Sequence, residues 1–200
     1  MLEIPLTGQS KGKIAYLDPV SGISGDMLLG ALVDSGLDVD DLRRALNGLH
    51  VDGYRLEARK VTKAGISATK VDVIVDGEGD GRVPGDHSHG HGARPPDRGH
   101  RTAPQHEHRG LKEILSILER SALPDSSKEV AGRVFRALAS AEGKVHGISA
   151  DEVHFHEVGA VDAIVDVVGT VEGLRLLGVN EVLCGPLPVA SGKVRASHGI

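Results

Sequence analysis

The sequence predicts an α+β fold, a mixed α/β sandwich built from an antiparallel hairpin and several helices, and three observations lead there. Two alternating apolar runs stand close together around Gly65, which predicts paired strands. Apolar residues recur with a 3.6-residue period in several other segments, which predicts amphipathic helices. Strands and helices do not alternate strictly, so a regular parallel βαβ array is not indicated.

The elements follow in order. Residues up to about Lys11 read as a loose polar leader, and Lys13 to Asp18 as a short strand ended by Pro19. A Gly/Ser loop, Ser21-Gly22-Ile23-Ser24-Gly25-Asp26, leads into an apolar helical run from Met27 to Val33. Ser24 suits the N-cap, Asp26 the positive first turn and Gly36 the stop. Asp38 can cap a second helix, whose apolar face is Leu42, Ala45, Leu46 and Leu49. Tyr54, Leu56 and Ala58 then alternate with charged residues, and Thr69, Val71, Val73 and Val75 share one face of a second strand. From Gly77 to about His108 the composition falls to Gly, His, Pro, Asp and Arg, with no apolar period. That stretch is read as a disordered loop inserted into the domain. Helical spacing returns with Leu111, Ile114, Leu115 and Leu118. Another helix is expected after Pro124, with Ser126-Ser127-Lys128-Glu129 as a capping box and Val130, Val134, Leu138, Ala141 and Val145 as its buried stripe. After a turn at Gly147, a helix from about Val161 to Leu177 should bury Val161, Ile164, Val165, Val168 and Val171. Glu181 to Gly185 closes the pattern as a strand, with Cys184 read as a small core residue.

Composition narrows the function. The formal net charge of −5 and the presence of only four aromatics, Tyr16, Tyr54, Phe135 and Phe155, argue against a nucleic-acid partner. No apolar run reaches membrane-span length, and no signal peptide is evident, so no membrane partner is expected. A single cysteine excludes an internal disulfide, and the combination suits a cytoplasmic protein. Six of the eleven histidines fall between His87 and His108.

Three constellations carry chemistry. His87, His89, His91, His106 and His108 offer imidazoles that bind borderline metals such as nickel, copper and zinc without fixed geometry. A purification tag or a solvated linker is the plainer alternative. Second, His154 and His156 point to one side of an extended segment beside Glu157, and Asp162 and Asp166 lie one helical turn apart. Together they could hold a divalent ion. Equally, Asp162 could cap its helix while His154 packs against a loop carbonyl. Third, Asp18, Ser21, Gly22, Ser24, Gly25 and Asp26 surround a glycine-rich entry into a helix, which suits phosphate. The Walker ending is missing, and the two acids favour a metal bridging to phosphate. A capped helix after a tight turn stands beside that reading.

Three long ordered motifs, Tyr16 through Leu32, His154 through Asp166, and Pro186 through Gly192 with His198-Gly199, resemble the LarC family of nickel insertion proteins. A His-rich insertion after the hairpin matches the same family. The resemblance implies a CTP-dependent nickel chelatase or cyclometallase of the lyase class. Its substrate would be pyridinium-3,5-bisthiocarboxylic acid mononucleotide, the pincer precursor of the lactate racemase cofactor. It implies Ni2+, CTP with Mg2+ or Mn2+, and an apo lactate racemase-like acceptor. It further implies that residues 1–200 are an N-terminal domain, with residues 77–108 its metal-binding loop and a C-terminal domain carried elsewhere, as in a fragment or a split gene. A homo-oligomer is compatible with all of this. On this reading His154, His156 and Glu157 receive nickel, and Asp18, Ser21, Ser24 and Asp26 contact substrate phosphate or a hydrated metal. Gly22 and Gly25 shape the nucleotide loop, and Asp162 and Asp166 orient the histidines. A non-enzymatic nickel store or metallochaperone is the rival. A nucleotide-binding regulatory domain would rest on the Gly/Ser loop alone.

Overall fold

The structure, a computed structural model, describes residues 12–20, 22–76, 109–155 and 158–188. Strand Lys13–Leu17 (β1) is followed by helices Gly25–Asp34 (α1) and Val39–Asn47 (α2). Strands Tyr54–Lys63 (β2) and Ile66–Val75 (β3) come next, then helices Leu111–Arg120 (α3) and Asp125–His146 (α4). A 3-10 turn, Ala150–Glu152, helix Val161–Leu176 (α5) and strand Val179–Cys184 (β4) complete the order. The α+β class holds, and the predicted hairpin is present.

β2 and β3 pair antiparallel, with Tyr54 opposite Val75, Leu56 opposite Val73 and Ala58 opposite Val71. The two alternating runs thereby merge into one apolar face. Ala64 and Gly65 make the connection at φ 49° and 80°. Positive φ at both turn residues matches the twist of the flanking strands. The α1 helix lies on this face, and Gly30 makes that possible, because a Cβ there would run into the backbone carbonyl of Thr69. At the end of α1, Asp34 accepts from Lys60 Nζ at 2.5 Å, Thr69 N at 2.7 Å and Thr69 Oγ1 at 2.6 Å. These bonds, that from Lys60 foremost, hold its carboxyl down at about 2.

Helix α5 packs behind α1 through two more glycines. Gly169 meets Leu29 and Leu46, and Gly173 meets Leu32 and Leu37. Leu29, Leu42, Leu46, Ile164, Val165 and Val168 are buried, and the fully buried Phe135 and Phe155 belong to the same core. One buried acid interrupts the apolar packing. Glu172 is fully buried, and its Oε2 accepts from Arg175 Nε at 3.0 Å and Nη2 at 2.7 Å.

Capping follows the sequence in one place and departs from it in another. Asp38 accepts from Asp40 N at 2.7 Å, as expected of an N-cap. Asp38→Ala should therefore cost about 1 kcal/mol, read as a fall of about 2–4 °C in Tm. The capping box expected over Ser126–Glu129 does not form, because α4 starts at Asp125 behind Pro124, which has no side-chain acceptor. A contact of that type occurs instead at Ser149, whose N–H and hydroxyl donate to Glu152 Oε2 at 3.1 and 2.8 Å.

The stripe expected on α4 is also corrected. Ser127, Ala131, Phe135, Ala139 and Gly143 are buried, whereas Ala141 and Val145 are exposed and Val130, Val134 and Leu138 only half-buried. Small residues let α4 approach its neighbours, and Gly143 accommodates the carbonyl of Ile148 as the chain turns back at Gly147. Val161 and Val171 of α5 are likewise half-buried, because Gly169 and Gly173 occupy the closest approach to α1. Cys184 is exposed rather than a core residue, lying at the last position of β4.

Candidate functional site

β1 and β4 pair in parallel, a partnership that the sequence did not announce. Their last pair is Leu17 with Cys184, and Gly185 N donates to Leu17 O at 2.8 Å. Both chains therefore leave the sheet at the same end. The space beyond the carboxyl ends of parallel strands is where open α/β sheets place ligands.

Asp18 is exposed at that end, next to Gly185, where a Cβ would stand 3.4 Å from Asp18 Oδ1 and 3.1 Å from the Tyr16 hydroxyl. The chain then turns, with Val20 N donating to Asp18 O at 2.9 Å and Gly22 N to Pro19 O at 3.0 Å. Gly22 takes φ 89°, a conformation that favours glycine. Ser24 occupies the N-cap of α1 but does not cap it with its side chain. Its hydroxyl donates to Asp26 Oδ1, which also accepts from Met27 N at 2.9 Å.

Gly25 serves a different purpose. A Cβ at this position would collide with the carboxylate of Asp166, so its absence lets α5 lay an acid directly on the first turn of α1. Asp162 stands one turn earlier on α5, with Oδ1 accepting from Ala163 N at 2.8 Å. It is thus a first-turn acceptor, while Ala160 holds the cap position. Asp166 Oδ1 is buried and receives no hydrogen bond. Burial first, and then the charges of Asp26 and Asp162, push its carboxyl up to about 7. An orphaned carboxylate oxygen between two other acids is an incomplete electrostatic arrangement. Either a proton or a cation would relieve it.

His154 lies on the segment that leads into α5. Its Nδ1 is 3.1 Å from Glu152 O. A carbonyl can only accept, so Nδ1 donates this bond and Nε2 is the nitrogen left for a ligand, an arrangement that metal-binding histidines commonly adopt. The loop-carbonyl contact weighed against a ligand role is therefore present, and it is compatible with that role. The backbone of His154 bridges to Gly110, and Phe155 N donates to Arg109 O at 3.2 Å. Gly159 closes on the same segment, with Arg109 Nη1 donating to its carbonyl at 3.3 Å. The chain returning from the His-rich segment thus seats its first described residues, Arg109 and Gly110, against His154.

The structure brings Asp26, Asp162, Asp166 and Gly25 together, and places Asp18, Gly22 and Ser24 on the same loop. Ser21, His156, Glu157, His87, His89, His91, His106 and His108 lie outside the described residues. Among the described residues no three His, Cys, Asp or Glu side chains form a ready-made metal site. Sequence reasoning missed the seam formed by Arg109 and Gly110, for which Gly159, pressed against the Arg109 backbone, was the one available signal. It also missed Gly185 beside Asp18.

An acid-lined junction entered through glycines, in an α+β protein, is thus the site that the described residues define. The family model described as nickel insertion protein matches residues 15–200. A protein of Geobacillus kaustophilus named pyridinium-3,5-bisthiocarboxylic acid mononucleotide nickel insertion protein is 42% identical over 94% of this chain and 42% of its own length. Proteins of the same name from Desulfitobacterium hafniense and Thermotoga sp. are 45% and 44% identical over 94% of this chain, and over 40% and 43% of their own lengths. The chain belongs to the nickel insertion protein family. It spans about two fifths of the length of these relatives. No solved structure matches it. Among the described residues no helix is long and apolar enough to cross a membrane.

Proposed function

We propose that this chain is the nickel-handling part of a cytoplasmic, CTP-dependent enzyme. That enzyme inserts nickel into pyridinium-3,5-bisthiocarboxylic acid mononucleotide, the precursor of the lactate racemase cofactor. The observation that carries the reading is the Asp166 carboxylate, seated on Gly25 between Asp26 and Asp162 with one oxygen unpartnered. It acquires its meaning from membership of a nickel insertion family.

The donors divide by hardness. Carboxylate oxygens suit Mg2+ or Mn2+, which keep several waters and bind through one or two acids, so a complete protein cage is not needed. Asp26, Asp162 and Asp166 would hold that ion, and it would neutralise the phosphates of CTP. Gly22, Ser24 and the first turn of α1 would receive the phosphates, with Ser21 and Asp18 at the rim. Imidazole suits nickel, the substrate metal. His154, with His156 and Glu157, would take the ion near the substrate sulfurs. The histidines of residues 77–108 would gather it, and their segment returns to the body at Arg109–Gly110, against His154. Residues 1–200 would act as one domain, and the remaining length of the family would supply a second.

Nickel titration by calorimetry tests this, on the chain and on a variant lacking residues 77–108. The shortened variant should keep one tight site, and replacing His154 and His156 together by alanine should remove it without lowering Tm. Loss of all binding with the loop would instead make the chain a nickel store.

A further inference from the structure

We infer that the outer face of the β1–β4 pair is the surface onto which the rest of the family's chain docks. Because partners in a parallel register share a face, Ile14, Tyr16, Glu181 and Leu183 lie together on one side of the pair. All four are exposed, Ile14 at 59%, Tyr16 at 63% and Leu183 at 40%. On the opposite side Ala15, Leu17 and Val182 are half-buried, with Cys184 exposed at the end, and β4 packs on α5. Parallel sheets are stable when both faces are covered, and a lone parallel pair leaves apolar side chains in water. Among the described residues no third strand joins the pair.

The occupant is identified by length. The relatives carry more than half of their chain outside the matched region. That remainder is present at the same concentration as the sheet and is the partner always available to it. It would contribute an apolar layer over Tyr16 and Leu183, and its arrival would roof the strand ends where Asp18 and Gly185 stand. This surface does not depend on which metal or nucleotide the acids hold.

Photo-crosslinking in a full-length relative tests the assignment. Benzoylphenylalanine is placed at the position equivalent to Tyr16 and, separately, at that of Leu183. A control places it at the position of Ile66, on the exposed tip of the hairpin. An unchanged Tm establishes that each variant folds, and either sheet position alone suffices as a probe. Crosslinked peptides should come from the part of the relative outside the match, within one molecule, at a yield at least about tenfold above the Ile66 control. Three results overturn the proposal. Crosslinks within the matched region would show that the chain covers its own sheet. A product of doubled mass would make the occupant a second copy. Yields no higher than the control at both positions would leave the face bare.

Discussion

Gly30→Ala should lower Tm by about 6–10 °C, although alanine is the better helix former. Helix propensity alone favours alanine by about 1 kcal/mol in a helix interior. Against that stands the carbonyl of Thr69, which occupies the place a Cβ would take. The obstacle is backbone of a paired strand, and it cannot rotate aside as a side chain can. β3 is held in register with β2 along its full length, and Thr69 N and Oγ1 are both bonded to Asp34 at the end of the same helix. The substitution must lift α1 from the hairpin and loosen Leu29 and Leu32. Overpacking that forces backbone shifts costs about 1–3 kcal/mol and occasionally more, and with the Thr69 carbonyl held in place a cost of about 4 kcal/mol is expected. A net loss of about 3 kcal/mol is expected, which for a domain of this size gives the stated shift. Thermal unfolding by circular dichroism is the measurement. An unchanged or higher Tm would falsify the close approach of α1 to β3.

The hairpin was legible because its two alternating runs and its glycine turn are local signals. Helix α2 was legible for the same reason, through Asp38 and the Leu42–Leu46–Leu49 spacing. The β1–β4 pairing was not, since its partners are separated by most of the chain and a short apolar strand carries no label for its neighbour. The α4 stripe was misassigned because the rule favours large apolar residues, whereas the helix buries its small ones. Ser127, Ala131, Ala139 and Gly143 allow approach, and Val145 remains 83% exposed. Half of the candidate site followed the same division. Asp162 and Asp166 could be placed on one helical turn from spacing, and Asp26 at a helix start. That these acids meet across two helices depends on Gly25, whose role as an absence of volume cannot be read from a Gly/Ser loop.

The convergence of those acids makes the second expected result one of pH. Asp166 has an ordinary value of 3.8 and is raised to about 7 in the fold by burial and by the charges of Asp26 and Asp162. Between those values the folded chain binds a proton that the unfolded chain has released. Stability contributed at this site therefore falls as pH rises from about 4 to about 7, and its cost is complete above that range. Asp166→Asn has nearly the same shape and no charge to titrate. It should match the wild type near pH 4 and exceed it at pH 8 by about 1–2 kcal/mol, the full shift being discounted for solvent screening. That corresponds to about 3–6 °C in Tm. The gain should come with loss of nickel insertion, since the carboxylate that lowers stability at high pH is the one proposed to hold the ion. A cation separates this from a purely structural acid. At pH 8, Mg2+ at about ten times its Kd should return about 1.4 kcal/mol to the wild type. It should return nothing to Asp166→Asn. If both proteins respond alike, the ion binds elsewhere. If neither does, the orphaned oxygen of Asp166 is a cost of packing α5 on α1, and the site for Mg2+ or Mn2+ must be sought in the remaining length of the family.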